Sequence, residues 1–157
     1  MATKLVTTKV ATTKRASPFL DDYLPYLLGH ASEVMNKDFD RYVKAAGLSP
    51  VEWRTLASLS DADGLTVGQL CKKVVAQQPT LTKALKRMDE VGLVRREDDA
   101  ADLRKTRVFA TQQGRTLARR LMRAALEHEA DLLRHAPLAL VDELKSALRG
   151  LLARRRG

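Results

Sequence analysis

The chain has 157 residues, 45% of them hydrophobic and only 4% aromatic, with a formal net charge of +9. That length suits one domain of ordinary size, whose core must be packed by Leu, Val and Ala more than by rings. No apolar run is long enough to cross a bilayer, the first residues lack the apolar core of a signal peptide, and the single cysteine, Cys71, excludes an internal disulfide framework; the expected location is cytoplasmic.

Residues 1 to 17 are rich in Thr and Lys, show no sustained periodicity and end at Pro18, which reads as a disordered basic arm over 1–18. Leu20, Leu24, Leu27, Ala31, Val34, Met35 and Phe39 then recur at helical spacing. They predict one long helix from about Phe19 to Ala46, with Pro25 either kinking it or marking its true start, and Gly47 ending it. Ser49-Pro50-Val51-Glu52 supplies an N-cap, a proline at the first helical position and a capping-box glutamate. The helix they open turns Trp53, Leu56 and Leu59 inward and stops near Ala62-Asp63-Gly64.

Thr66-Val67-Gly68-Gln69 repeats the capping-box pattern and opens a third helix through Val75, with Leu70 and Val74 facing the core. Gln77, Gln78, Pro79 and Thr80 open a fourth, which runs through Leu81, Leu85 and Met88 to a stop at Gly92. Two short strands follow, Leu93 to Arg96 and Thr106 to Ala110, separated by a charged tip from Asp98 to Arg104. Helix, turn, basic helix and basic hairpin make a winged helix-turn-helix, a mainly α fold with a small β-hairpin wing. That geometry lays one helix in a DNA major groove.

After the wing, Thr111 caps a long helix to about Leu133, with Leu117, Leu121, Ala124 and Leu132 on one face. Pro137 breaks it, and a last helix carries Leu138, Val141, Leu144, Leu148 and Leu151. The terminal helices hold more apolar surface than a small winged domain covers, so a homodimer is expected. Its two-fold axis would set the reading helices about one turn apart, roughly 34 Å, on a palindromic site. The resulting organisation is a basic arm at 1–18, a dimerisation helix at 19–48, a winged domain at 49–111 and dimerisation helices at 112–157.

The charge is unevenly placed. Lys72, Lys73, Lys83, Lys86 and Arg87 fall in a stretch without an acid, as do Lys4, Lys9, Lys14 and Arg15, and the chain ends Arg154-Arg155-Arg156 before Gly157. Such a surface either keeps a protein soluble or meets a polyanion. Its coincidence with the helix-turn-helix favours double-stranded DNA. Gln77, Gln78, Thr80 and Thr82 offer donors and acceptors to base edges, beside Pro79 at the helix start, while Lys83, Lys86 and Arg87 suit phosphates. Arg95, Arg96 and Lys105 flank the hairpin, where they would meet backbone.

Gln78-Pro79-Thr80, Gly92-Leu93-Val94-Arg95-Arg96, Asp99-x-x-Asp102-x-Arg104 and Thr111-x-x-Gly114-Arg115, in that order, resemble the MarR (multiple antibiotic resistance regulator) family from Phe19 to Arg156. The pattern departs at Leu103, where the family often has a second wing arginine, and at Ala110, usually leucine. The resemblance implies that Arg104 enters the minor groove and that Asp102 holds it extended. It also implies a ligand-responsive regulator, a repressor that releases its operator on binding a small aromatic acid or its coenzyme A thioester.

The matching effector region contains Tyr23, Tyr26, His30, Trp53 and Arg54, with Arg54 and His30 as candidate cations for a carboxylate. The competing reading is that Trp53 and Tyr26 are core and Arg54 is a surface residue. Redox-sensing relatives carry a reactive cysteine in the first helix, where this chain has none, and Cys71 reads as a structural cysteine. His128, Asp131 and His135 share a helical face but lack a fourth ligand, so no metal and no cofactor are expected. Nucleophile elbow, phosphate-binding glycine loop and metal-protease helix are absent, which argues against an enzyme. The remaining alternatives are an architectural DNA-binding protein without sequence preference and a regulator that responds to redox or metal.

Overall fold

A computed structural model of the chain describes residues 18–62, 64–99 and 102–154. The elements run α1 (Phe19–Asp22), α2 (Leu24–Ala45), α3 (Pro50–Ser60), β1 (Leu65–Thr66), α4 (Val67–Val74), α5 (Gln78–Glu90), β2 (Val94–Asp99), β3 (Asp102–Ala110), α6 (Gln112–Leu132) and α7 (Leu138–Arg154). Two compact units are present, one reaching to Val34 and the other starting at Met35. The expected basic arm, apart from Pro18, lies outside the described residues.

The first long helix is two helices. Four residues of α1 end at Tyr23, whose extended backbone (φ −83°, ψ 102°) breaks the helical path. Pro25 follows in the first turn of α2, where its missing N–H costs no bond; further along it would have left a carbonyl four residues back unsatisfied. In the unit from Met35 onward, α2 buries only Phe39 and Val43 and stops at Gly47 in the left-handed region (φ 76°).

Both capping boxes form. The Ser49 hydroxyl accepts from the Glu52 amide and the Glu52 carboxylate accepts from the Ser49 amide; Thr66 and Gln69 repeat the arrangement on α4. Behind these caps Leu56, Leu70, Val74, Leu81, Leu85 and Met88 are all but inaccessible. With Leu59, Leu93, Val94, Val108, Ala118 and Leu121 they form one cluster. Three-residue and four-residue spacing along α5 explains why Leu81, Leu85 and Met88 point one way and its polar residues the other.

The sheet departs from expectation in two respects. Leu65–Thr66 forms an additional edge strand, paired antiparallel with β3, so the strand order is β1-β3-β2. Two residues are too few for an alternating pattern to be seen in the sequence. The hairpin is also longer than expected: β2 runs to Asp99 and β3 begins at Asp102, so most of the supposed tip is strand. Its ladder holds one register from Val94↔Ala110 to Asp98↔Thr106 and then shifts to Asp99↔Asp102. One step on β2 therefore answers four on β3, and residues 103–105 form a bulge.

At the base of the wing, the Thr111 hydroxyl donates to the carbonyls of Gly92 and Leu93 and accepts from the Gly114 amide. The α6 start is thereby fastened to the turn that ends α5. Leu117, Leu121 and Ala124 pack as expected, but Leu132 is exposed because the cluster ends before the last turns of α6. Helix α7 buries no residue; Leu138, Leu140, Leu144, Leu151 and Leu152 are all exposed, and Lys145 bridges to Glu129 of α6 at 2.9 Å.

Candidate nucleic-acid interface

Helix α5 begins with Gln77 as N-cap, without a side-chain cap, and has Pro79 in its first turn. A helix start without a side-chain cap is an arrangement that favours an anion. Gln77, Gln78, Pro79, Thr80, Thr82, Lys83 and Lys86 are all exposed, on the side away from the buried leucines. An open cavity of about 640 Å³ is lined by Gln78, Pro79, Thr82, Lys83, Lys86 and, from the wing, Arg96. A second, of about 460 Å³, joins Gln78, Thr82 and Arg96 to Lys105 and Thr106 of β3 and to Thr66, Val67 and Gly68 at the start of α4. Helix α5, the wing and the α4 start thus border one continuous polar and basic face. Thr66 and Gly68 read in the sequence only as part of a capping box, and the fold brings them to this face.

The basic residues of this face are not equivalent. Lys86 reaches Glu90 at 4.0 Å with both side chains largely exposed, a weak tether. Arg96 is paired with Asp89 at 3.2 Å, which ties β2 to α5. Arg95 lies 4.3 Å above the Phe109 ring and pairs with Glu97. Lys105 bridges Asp102 at 3.1 Å, and the Asp102 amide donates to Asp99. Arg104 belongs to β3, but its side chain, like that of Leu103, lies outside the described residues.

Arg87 is engaged within the fold. Its Nη1 donates to Glu52 Oε1 at 2.6 Å and its Nη2 to the Gly47 carbonyl at 2.8 Å. Glu52 is 2% exposed. Read from sequence alone, Glu52 is a capping residue and Arg87 a phosphate ligand, because no local pattern announces a pair 35 positions apart.

Three of the effector candidates belong to the first unit and two to the second. In the first unit, Tyr26 and His30 stack at 5.8 Å with nearly parallel rings, and Tyr23 stacks on Phe19 at 5.1 Å. In the second, Trp53 meets Phe39 edge to face at 5.5 Å, and Phe39 also contacts Tyr42 and His128. Arg54 is exposed and donates to the Pro50 carbonyl of its own helix. Cys71 is partly buried against the core cluster. Among the described residues no three His, Cys, Asp or Glu side chains are grouped to hold a metal. His128 instead serves the aromatic cluster on Phe39, with its Nε2 buried.

Comparison with known proteins agrees with this geometry. A family model described as the MarR family matches residues 46–105. Among solved structures, the MarR family transcriptional regulator SPO1453 from Silicibacter pomeroyi DSS-3 is 38% identical with a TM-score of 0.75, covering 87% of this chain and 98% of that one. The transcriptional activatory protein BadR of Rhodopseudomonas palustris is 31% identical over 73% of this chain and 66% of its own length. The homoprotocatechuate degradative operon repressor of Escherichia coli is 30% identical over 64% of this chain and 68% of its own length. Several further curated regulators are matched over only half of their length. With the fold, the exposed polar and basic face of α5 and these matches in agreement, the chain belongs to the MarR family.

Proposed function

We propose that the protein is a sequence-specific, DNA-binding transcriptional regulator that works as a homodimer and represses by occupying a palindromic operator. The observation that carries this reading is the face built by α5 and the wing. Gln78, Thr80 and Thr82 are exposed beside Lys83, Lys86, Arg96 and Lys105, while Leu81, Leu85 and Met88 hold the helix from behind. Amide and hydroxyl groups at the start of a helix suit base edges, and the cations further along suit phosphates. Arg104 is assigned the minor-groove contact that the wing of this family implies, with Asp102 beside it. The exposed leucines of α7 supply the apolar surface a second copy would cover.

Release is assigned to a small aromatic acid or its coenzyme A thioester, recognised by Tyr23, Tyr26, His30, Trp53 and Arg54. The name of one relative, a repressor of a homoprotocatechuate degradative operon, supports an aromatic effector class. To reverse the populations of a binding and a non-binding dimer, the effector must favour one of them by about 5.5 kcal/mol.

Footprinting of the chain's own upstream DNA, with and without a panel of aromatic acids and thioesters, tests the reading. Two protected half-sites about one helical turn apart, lost on adding one compound, are expected. Uniform protection without half-sites would instead make this an architectural DNA-binding protein.

A further inference from the structure

The basic residues of α5 divide into two kinds by what their head groups touch. Lys83 and Lys86 extend from the exposed face of the helix. Arg87 turns the other way, toward the corner between α2 and α3, and is held there at two points, Glu52 Oε1 and the Gly47 carbonyl. The second oxygen of the same carboxylate, Glu52 Oε2, accepts from the Ser49 amide at 2.7 Å. Gly47 ends α2 and Ser49 caps α3, so one buried carboxylate and one guanidinium join the end of α2, the start of α3 and the second half of α5.

Nearby, the support is open. An open cavity of about 590 Å³ is lined by Lys44, Ser49 and Glu52 from the α2–α3 corner and by Thr80, Lys83 and Arg87 of α5. Leu81, Leu85 and Met88 seat α5 on the core, and the two Arg87 contacts add the polar tie between its second half and that corner. We infer that Arg87 is a positioning residue for base reading and not a phosphate ligand. Through Glu52 it sets the orientation of α5 and transmits to it any displacement of the α2–α3 corner. This inference rests on the DNA-binding reading above for its consequence, and on the free protein for its mechanism.

The test uses the full chain and two duplexes, the footprinted upstream site and a shuffled version of it. Removing the charge with the paired variant Glu52→Gln/Arg87→Gln avoids leaving a buried carboxylate without a partner. The slope of log affinity against log salt is expected to stay unchanged in that variant, whereas Lys83→Gln, the reference, lowers it by about 0.9. Preference for the upstream site is expected to fall about tenfold, the worth of one misplaced base contact, in the paired variant and in Arg87→Lys. Glu52→Gln alone, whose side chain is 3% exposed and out of reach of DNA, is expected to do the same. A slope lowered by about 0.9 in the paired variant would make Arg87 a phosphate contact, and an undiminished preference in Glu52→Gln would remove its positioning role. Amide exchange in the DNA-free protein decides the mechanism separately. Glu52→Gln should speed exchange along α5, and unchanged α5 protection would overturn the inference even if the wild-type chain showed no sequence preference.

Discussion

The α-carbon of Gly114, in the first turn of α6, sits directly against the carbonyl oxygen of Leu93, so close that no side-chain carbon fits between them. A Cβ there would also press on the Leu93 carbonyl carbon at 3.1 Å and a Leu56 methyl at 3.3 Å. Backbone cannot rotate aside as a flexible side chain would, so Gly114→Ala must push α6 away from the wing base. A loss of about 2 kcal/mol in urea unfolding is expected, despite the better helix propensity of alanine. An unchanged or raised midpoint would show that the contact relaxes freely.

Val75 closes α4 in the left-handed region (φ 53°) and is 83% exposed. A β-branched residue is strained there and has no packing to offset it. Val75→Gly is therefore expected to stabilise the fold by about 0.5–1 kcal/mol, after allowing for glycine's greater freedom in the unfolded chain. Denaturant melts with equal slopes would show the midpoint rise; a fall would mean the turn needs the valine side chain.

Glu52 is held at two points of unequal value: its buried carboxylate accepts from Arg87, and its backbone amide donates to the Ser49 hydroxyl. Arg87→Ala strips it of its cation and is expected to cost about 2 kcal/mol, below the full buried-pair figure because the arginine is half exposed. Ser49→Ala removes only a hydroxyl cap and should cost about 1 kcal/mol. Equal losses in thermal unfolding would contradict this ordering.

Dimerisation is expected to depend on α7. Leu140→Glu and Leu144→Glu place charges on residues already 58% and 53% exposed in the single chain, so the fold of one protomer should survive. Sedimentation should then show a monomer with unaltered helicity. A variant that stays dimeric would place the contact elsewhere.

Much of the fold could be read in the sequence because local chemistry dictates it. The Ser49 and Thr66 capping boxes, Pro50, and Gly47 and Gly92 at helix ends each act within four residues, and the spacing of Leu81, Leu85 and Met88 names its own buried face. The remainder depends on partners far along the chain. β1 exists only because β3 lies beside it, and the wing is longer than expected because the ladder continues through charged positions such as Glu97↔Arg107, with the Arg107 head group reaching Asp99. The same limit applies at the candidate interface. Exposed Gln78, Thr82 and Lys83 could be anticipated from periodicity, whereas the turning of Arg87 toward Glu52 required the helices to be packed.

Whether α5 reads bases is decided by the affinity of the purified chain for its upstream duplex and for a shuffled duplex, across a range of salt concentrations. A regulator reading bases through α5 should prefer the upstream site by about a thousandfold or more. Lys83→Gln and Lys86→Gln should each lower the salt slope by about 0.9. Equal affinity for both duplexes at every salt concentration would mean that α5 does not read bases.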